Sequence, residues 1–293
     1  IFQFDFMIRA LIGGSMVAIL APAFGLFIVL RRLSLIADTL SHVALMGVAI
    51  GFVTSIYPTF VALIATTSSA AGIEQLRSRG RLPGDAALAI FLYSSLAIAV
   101  IVISKSSGFN ADLFGYLFGT VLSINDRDLW LIGILLLVVI LFVASFYPEL
   151  TQSAFDQDLA HVSGVRVTAT NLALAILTGA TVTASMRVVG VLMVGALIVI
   201  PVLAALRLAR GFRTALLLAI GFGLLSVWVG LLVAFYADLA AGGSIVLTTV
   251  AMLALAEVVG KARDYFSARR GASATGWSAS TPSARPEIDA DQR

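Results

Sequence analysis

Residues 31–53 read RRLSLIADTLSHVALMGVAIGFV, and the pattern in this stretch is repeated along the chain. Two arginines come first, and a long, mostly apolar run follows them. Similar runs recur from about residue 8 to residue 260, with short basic gaps between them. Because roughly 20 mostly apolar residues cross a bilayer as an α-helix, the sequence predicts an all-α, polytopic membrane protein.

The composition supports the same prediction. Of the 293 residues, 60% are hydrophobic and 12% are charged, and the mean hydropathy is +1.03. No water-soluble globular domain keeps this balance. The chain has no cysteine, which excludes disulfides, thiolate metal sites and cysteine nucleophiles. Any metal chemistry must therefore use nitrogen and oxygen ligands.

The basic residues indicate topology. They lie in short clusters between the apolar runs, so the pI near 9.5 does not indicate a nucleic-acid partner. Loops of membrane proteins that are rich in lysine and arginine lie mainly in the cytoplasm. If these basic clusters are cytoplasmic, the N-terminus lies outside and the C-terminus lies in the cytoplasm. The membrane domain is expected at residues 1–262 and a flexible cytoplasmic tail at 263–293, where the composition becomes polar.

The apolar runs predict eight or nine spans. They lie at 7–30, 33–55, 59–75, 85–104, 129–147, 168–206, 214–236 and 244–260, and the run at 168–206 is long enough for two short spans. Arg187, Gly190 and Gly195 lie within that long run. By this topology both ends of the short apolar segment 113–124 lie on the external side of the membrane, so we expect a re-entrant or interfacial element there.

Asp38 and His42 are polar residues in the second span. Four residues advance a helix by about 400°, so both side chains lie on one face. At 1.5 Å per residue they fall about 9 Å and about 15 Å into the membrane. A carboxylate costs at least ~3 kcal/mol there, so it usually lines a pathway or pairs with a partner.

Two interpretations of this pair stay open, a functional site and an Asp–His pair that only satisfies itself. As ligands, a carboxylate and an imidazole suit Zn²⁺ or Mn²⁺ better than Cu⁺. Two ligands leave the coordination shell incomplete, which suits transport because the ion must leave again. A second copy of the chain, related by a two-fold axis, would supply two more ligands, one aspartate and one histidine.

Residues 155–165 form a second polar island and predict a short cytoplasmic helix. Phe155, Leu159 and Val162 fall on one side of it, and Gly164 is a plausible C-terminal cap. The helix is either an ordinary connector or a surface that docks into a soluble partner. His161 is expected to be solvated.

Motifs for bond chemistry are missing from the sequence. It has no P-loop and only two lysines, so any ATP must be hydrolysed by another subunit. It also lacks the Gly-x-Ser-x-Gly and His-Glu-x-x-His motifs of hydrolases. We therefore expect a transport subunit and not an enzyme.

Several stretches together resemble the zinc and manganese permease family of ABC transporters. Residues 24–49, FGLFIVLRRLSLIADTLSHVALMGVA, resemble its signature, in which Asp38 and His42 match the family register. Residues 105–119, KSSGFNADLFGYLFG, are similar to its external segment, 155–165 to its coupling helix and 189–201 to its late glycine-rich span. The resemblance covers about residues 4–258.

The resemblance implies a homodimeric permease in a bacterial plasma (inner) membrane. It implies two cytoplasmic ATP-binding subunits and an extracytoplasmic metal-binding protein as partners, with Zn²⁺ or Mn²⁺ as transported substrate and no permanent cofactor. Asp38 and His42 carry over as metal ligands of the pathway. The coupling role carries over to Asp156, Asp158, Ala160 and Gly164. The runs near Ala21 and after Ser41 resemble the zinc branch more than the manganese branch.

Two other classes of function remain open. In a proton-coupled secondary metal-ion transporter, Asp38 and His42 would relay protons and no ATPase would be needed. A passive structural membrane subunit would tolerate an apolar residue at position 38. Ligand chemistry alone does not separate Zn²⁺, Mn²⁺ and Fe²⁺, because the ligand preferences of these ions overlap.

Overall fold

The computed structural model of the chain describes residues 5–78, 80, 83–105, 115–117, 119 and 124–274. Every regular element in these ranges is helical, and none of these residues forms a strand. The all-α prediction is therefore confirmed. The helices are α1 Asp5–Leu30, α2 Leu35–Thr54, α3 Pro58–Ser78, α4 Gly84–Lys105, α5 Asp126–Ser145, α6 Tyr147–Phe155, α7 Gln157–Val162, α8 Val167–Val189, α9 Val191–Leu208, α10 Phe212–Ala237 and α11 Ala241–Ala274.

Seven of the described helices are long and apolar enough to cross a membrane. They are α1, α2, α4, α5, α8, α10 and the part of α11 up to Tyr265. The predicted count of eight or nine spans is not confirmed, for two local reasons. Hydroxyl and charged side chains lower the hydropathy of α3, and the apolar stretch of α9, Met193–Leu208, is short.

Two further sequence predictions fall largely outside the described residues. Most of segment 113–124 lies there, so the predicted re-entrant element is not confirmed; its described part includes a helical turn at 115–117. Helix α11 continues to Ala274, past the boundary predicted at residue 262, and residues 275–293 lie outside the description.

The long apolar run at 168–206 divides into two helices at Gly190. This residue has φ +93° and ψ 146°, and its N–H donates to the carbonyl oxygen of Met186, which ends α8. Residues that carry a Cβ atom rarely adopt such positive φ values, whereas glycine adopts them readily. Helix α9 starts at the next residue, so the glycine determines where the chain turns.

Helices α1, α2 and α8 form the centre of the molecule. In the most apolar 18-residue stretch of each of these helices, 67% to 72% is buried inside the chain. The corresponding buried share is 22% to 33% for α4, α5, α10 and α11. The latter expose large apolar side chains, as expected for helices that contact lipid. The helix that carries Asp38 and His42 therefore lies in the interior group.

Close helix contacts in this centre depend on glycine. A Cβ atom at residue 25 of α1 would collide with the backbone carbonyl oxygen of Ile198 in α9. At residue 47 of α2 it would lie 2.5 Å from the Cα atom of Ala62 in α3. Small residues of this kind let membrane helices approach each other closely.

We expect Gly25→Ala to lower the stability of the detergent-purified chain by about 1–3 kcal/mol, because the added methyl group forces α1 and α9 apart. Thermal unfolding followed by intrinsic fluorescence measures the change. Gly221→Ala in α10 is the matched control, since nothing lies within 4 Å of a Cβ atom at that position. Equal unfolding midpoints for the two variants would contradict the packing described for α1 and α9.

Candidate metal site and exposed helical surface

Helix α2 brings Asp38 and His42 together, one turn apart near its N-terminal end. The Nε2 atom of His42 lies 4.0 Å from the Oδ1 atom of Asp38. The Asp38 side chain is 52% exposed in the single chain, whereas that of His42 is 19% exposed. The spacing therefore places a carboxylate and an imidazole on one face, and the Asp38 side chain is exposed at the surface of the single chain.

The imidazole of His42 is only partly satisfied. Its Nδ1 atom is buried and has no hydrogen-bond partner among the described residues. A buried polar atom without a partner costs about 1–3 kcal/mol. Ser41, the neighbouring residue, does not take part, because its hydroxyl donates to the carbonyl oxygen of Ala37 at 2.9 Å.

Gly195 positions α9 against the same point of α2. A Cβ atom at residue 195 would lie 3.6 Å from the backbone nitrogen of Asp38 and 3.7 Å from its Cα atom. The backbone that carries the carboxylate is thus covered by α9. In the sequence Gly195 is one glycine among many, and its contact with Asp38 became visible only in the structure.

The pair forms an incomplete cation site by itself. The described residues contain no group of three or more His, Asp or Glu side chains that could hold a metal ion. One carboxylate and one imidazole provide hard oxygen and borderline nitrogen donors. Two donors would leave most of the coordination shell of a divalent cation open, and the exposed side of Asp38 leaves room for further ligands to approach.

Between α5 and α8, the helices α6 and α7 form a short helical unit. Asp156 caps the start of α7, where its Oδ1 atom accepts hydrogen bonds from the backbone N–H groups of Asp158 and Leu159, both at 3.0 Å. Gly164 ends it with φ +85°. The N–H of Val165 donates to the carbonyl oxygen of Ala160, and that of Gly164 to His161, which is a Schellman motif.

The exposed face of this unit is apolar. Phe155, Leu159 and Val162 are 71%, 64% and 84% exposed, as their spacing in the sequence predicted. Ala160 is 1% exposed and faces the protein, while Asp158 and His161 are solvent-exposed. Three large apolar side chains exposed together on a short helical unit are typical of a surface that contacts a partner.

Sequence reasoning missed the residue that connects this unit to α2. Arg31, treated above only as a topological charge, donates from Nη2 to the hydroxyl of Ser153 in α6 at 2.5 Å. Burial lowers the pKa of Arg31 from 12.5 to about 10; the carboxylate of Glu74 opposes that change, and Arg77 adds to it. Arg31 therefore stays cationic at neutral pH and joins the turn before α2 to the unit formed by α6 and α7.

A second missed interaction lies near the other end of α2. Arg187 of α8 forms an ion pair with Asp128 of α5, at 2.8 Å between Nη1 and Oδ2. In the sequence Arg187 is an isolated charge within an apolar run. That isolation is a signal that a partner exists, but nothing local identifies Asp128 as that partner.

Comparison with known proteins places these features in a family. Residues 3–260 match the family described as the ABC 3 transport family. The chain belongs to this family. Its predicted likeness to metal permeases of ABC transporters is thereby confirmed.

Relatives and a solved structure within this group match most of the chain. The zinc uptake membrane protein ZnuB of Haemophilus influenzae is 32% identical over 253 residues, which cover 86% of this chain and 97% of ZnuB. The manganese transport membrane protein MntC of Listeria monocytogenes is 31% identical and covers 87% of this chain and 90% of its own length. PsaBC of Streptococcus pneumoniae, solved with a Fab, has a TM-score of 0.77 at 30% identity, and covers 87% of this chain and 91% of its own.

We expect Asp156→Ala to destabilise α7 by about 1 kcal/mol, because it removes the acceptor for two N–H groups at the helix start. Hydrogen–deuterium exchange of the α7 amides measures this directly in the purified chain. Asp156→Asn keeps the acceptor and should exchange like the parent. Asp158→Ala, which removes a neighbouring carboxylate without removing the cap, is the control. Identical exchange in all three variants would remove the capping role from Asp156.

Proposed function

We propose that this chain is the membrane-spanning permease subunit of an ATP-driven importer of a divalent transition metal, with zinc favoured and manganese next. One observation carries the proposal. A carboxylate and an imidazole lie 4.0 Å apart on an interior helix of an ABC 3 transport family member, with the carboxylate open to one side. The metal is the transported substrate, and the chain itself catalyses no reaction.

A second copy of the chain is proposed to complete the metal site. Asp38 is half exposed in one chain although it lies on an interior helix. An exposed carboxylate in contact with lipid is strongly unfavourable, so a protein surface or a water-filled pathway must lie against it. On a two-fold axis the same helix supplies two aspartates and two histidines to one ion.

The apolar face formed by the end of α6 and by α7 is proposed to dock into a cytoplasmic ATP-binding subunit. Its residues are Phe155 of α6 and Leu159 and Val162 of α7, and Asp156 and Gly164 fix where α7 begins and ends. Ala160 supports the docking indirectly, because its small side chain lets α7 pack against the chain. Asp158 remains at the exposed edge, where it can contact the partner. An extracytoplasmic metal-binding protein would deliver the ion from the other side.

The topology proposed for this subunit has the N-terminus outside, the C-terminus in the cytoplasm and nine spans in a bacterial inner membrane. Arg31, after α1, interacts electrostatically with Glu74 and Arg77 near the end of α3. These two places must therefore lie on the same side of the membrane. Since α2 crosses, α3 must cross back despite its lower hydropathy, and α9 returns in the same way from Gly190.

Coupling is proposed to reach the metal site through Arg31. Closure of the ATP-binding subunits would move α6 and α7 together, and the Ser153–Arg31 hydrogen bond would transmit that movement to the turn before α2. Asp38 is seven residues beyond Arg31. The site would then alternate between outward and inward access, with the nucleotide shifting the population of the two states.

The choice between zinc and manganese is not decided by overall identity, because relatives named for each metal match equally well at 32% and 31%. The zinc preference rests on the residues around Ala21 and Ser41. Imidazole is a common ligand for zinc, whereas manganese prefers a shell dominated by oxygen.

We expect Asp38→Ala and His42→Ala each to abolish metal uptake by the complete transporter in proteoliposomes, because neither leaves a usable ligand pair. Co-purification with the ATP-binding subunits should be unchanged. Asp85→Ala is the control, since it removes an exposed acidic side chain from the first turn of α4. Normal uptake by both site variants would remove the pair from the pathway.

The same vesicles separate this proposal from a proton-coupled transporter. Uptake should stop when ATP is withheld inside the compartment that holds the ATP-binding subunits. It should continue when an ionophore collapses the proton gradient. The reverse result would favour the proton-coupled alternative.

A further inference from the structure

A crevice of about 580 Å³ lies between the end of α5, the start of α6 and the junction of α7 with α8. Apolar side chains such as Phe142 and Ala173 line part of it, and Glu149 and Arg166 bring one negative and one positive charge to the same space. Its volume is within the range of small-molecule sites, roughly 300–1,000 Å³. We call it the α5–α8 crevice.

The two charges of the crevice are not used by the rest of the fold. Neither Glu149 nor Arg166 forms an ion pair with any residue in the described part of the chain. The Oε2 atom of Glu149 is buried and has no hydrogen-bond partner among the described residues. A charged group that is withdrawn from water needs such a partner. A ligand that carries both a positive and a negative group would satisfy both side chains.

The local structure shows which charge needs an external partner more. Glu149 lies in the first turn of α6, where the helix dipole favours a negative charge. Arg166 directly precedes α8, where the same effect disfavours a positive charge, and no side chain caps the start of that helix. An anionic group beside Arg166 would therefore be favourable, whereas Glu149 provides a stable carboxylate for a cation.

The crevice lies where two candidate spans leave the apolar layer. Helix α5 ends at Ser145 and α8 begins at Val167, and both helices are long and apolar enough to cross a membrane. Phe146 and Ala169, which also line the crevice, are exposed at its edge. The apolar wall therefore extends toward the hydrocarbon, and the two charges lie at the level where lipid headgroups are found.

A phospholipid with a primary ammonium group matches this arrangement. Its phosphate would accept hydrogen bonds from the guanidinium of Arg166, and its ammonium would donate to the carboxylate of Glu149. A quaternary ammonium cannot donate a hydrogen bond. A purely anionic headgroup would leave the carboxylate of Glu149 beside a second negative charge.

We propose that the α5–α8 crevice is a binding site for phosphatidylethanolamine, with the headgroup held between Glu149 and Arg166 and an acyl chain lying along Phe142 and Ala173. The proposal goes beyond the transport function. It requires only that α5 and α8 span a membrane.

The bound lipid also supports the end of α7. Ser163 and Gly164, which follow this helix, line the same crevice. A headgroup in the crevice therefore contacts the C-terminal end of α7, while Asp156 caps the opposite end. The lipid in this way stabilises the position of the exposed apolar face that α6 and α7 form.

Lipid binding to the detergent-purified full chain tests the site directly. Native mass spectrometry compares phosphatidylethanolamine, phosphatidylcholine and phosphatidylglycerol with identical acyl chains. We expect phosphatidylethanolamine to bind at least about tenfold more tightly than either of the others, because only its headgroup can satisfy both charges. Equal binding of phosphatidylethanolamine and phosphatidylcholine, or tightest binding of phosphatidylglycerol, would overturn the proposal. This comparison needs no variant.

Two variants separate the parts of the headgroup. Glu149→Gln should weaken phosphatidylethanolamine binding about tenfold and phosphatidylcholine binding much less, because it removes the acceptor for the ammonium. Arg166→Gln should weaken all three lipids, since each of them has a phosphate. Asp85→Asn and Arg210→Gln, which change exposed charges outside the crevice, are the controls and should bind like the parent. An equal effect of Glu149→Gln on all three lipids would contradict recognition of the amine.

The same measurement on the complete transporter distinguishes a lipid site from a surface for a soluble subunit. Phosphatidylethanolamine should remain bound after the ATP-binding subunits have assembled. Its loss on assembly would show that the crevice belongs to that interface and would overturn the proposal. Lipid binding requires neither metal nor ATP, so its outcome is independent of the proposed transport function.

Discussion

Hydrocarbon does not stabilise an unpaired charge, and this constraint determines where the few polar side chains of the chain can lie. With 12% charged residues, most charges are at the helix ends. Two groups of ionisable side chains pack against neighbouring helices, Asp38 with His42 and Arg187 with Asp128. Each of these groups needs a partner, because an ionisable side chain that faces lipid is strongly unfavourable.

The two groups meet this requirement in different ways. Arg187 is satisfied inside the chain by a carboxylate and a phenol at 2.8 Å. Asp38 and His42 are 4.0 Å apart, with half of the carboxylate exposed and the Nδ1 atom of the imidazole unpaired among the described residues. The first arrangement is complete and the second is open.

The sequence predicted features that depend on neighbouring residues. The spacing of Asp38 and His42, the apolar face of α7 and the cap at Gly164 all depend on residues within a few turns of each other. Pairs that depend on tertiary packing were not predictable. Ser153 lies 122 positions from Arg31, and Arg187 lies 59 positions from Asp128. The predicted eight or nine spans are not confirmed, because α3 carries hydroxyl and charged side chains and the apolar stretch of α9 is short, so length and hydropathy identify seven of the described helices.

Anomalous X-ray diffraction from crystals of the complete transporter, recorded at the zinc and the manganese absorption edges, would locate the transported ion. We expect a single ion between two copies of the chain, with a carboxylate and an imidazole from the second helix of each copy as ligands. An ion bound elsewhere within one copy, or an empty position between these side chains at saturating metal concentration, would contradict the proposed site.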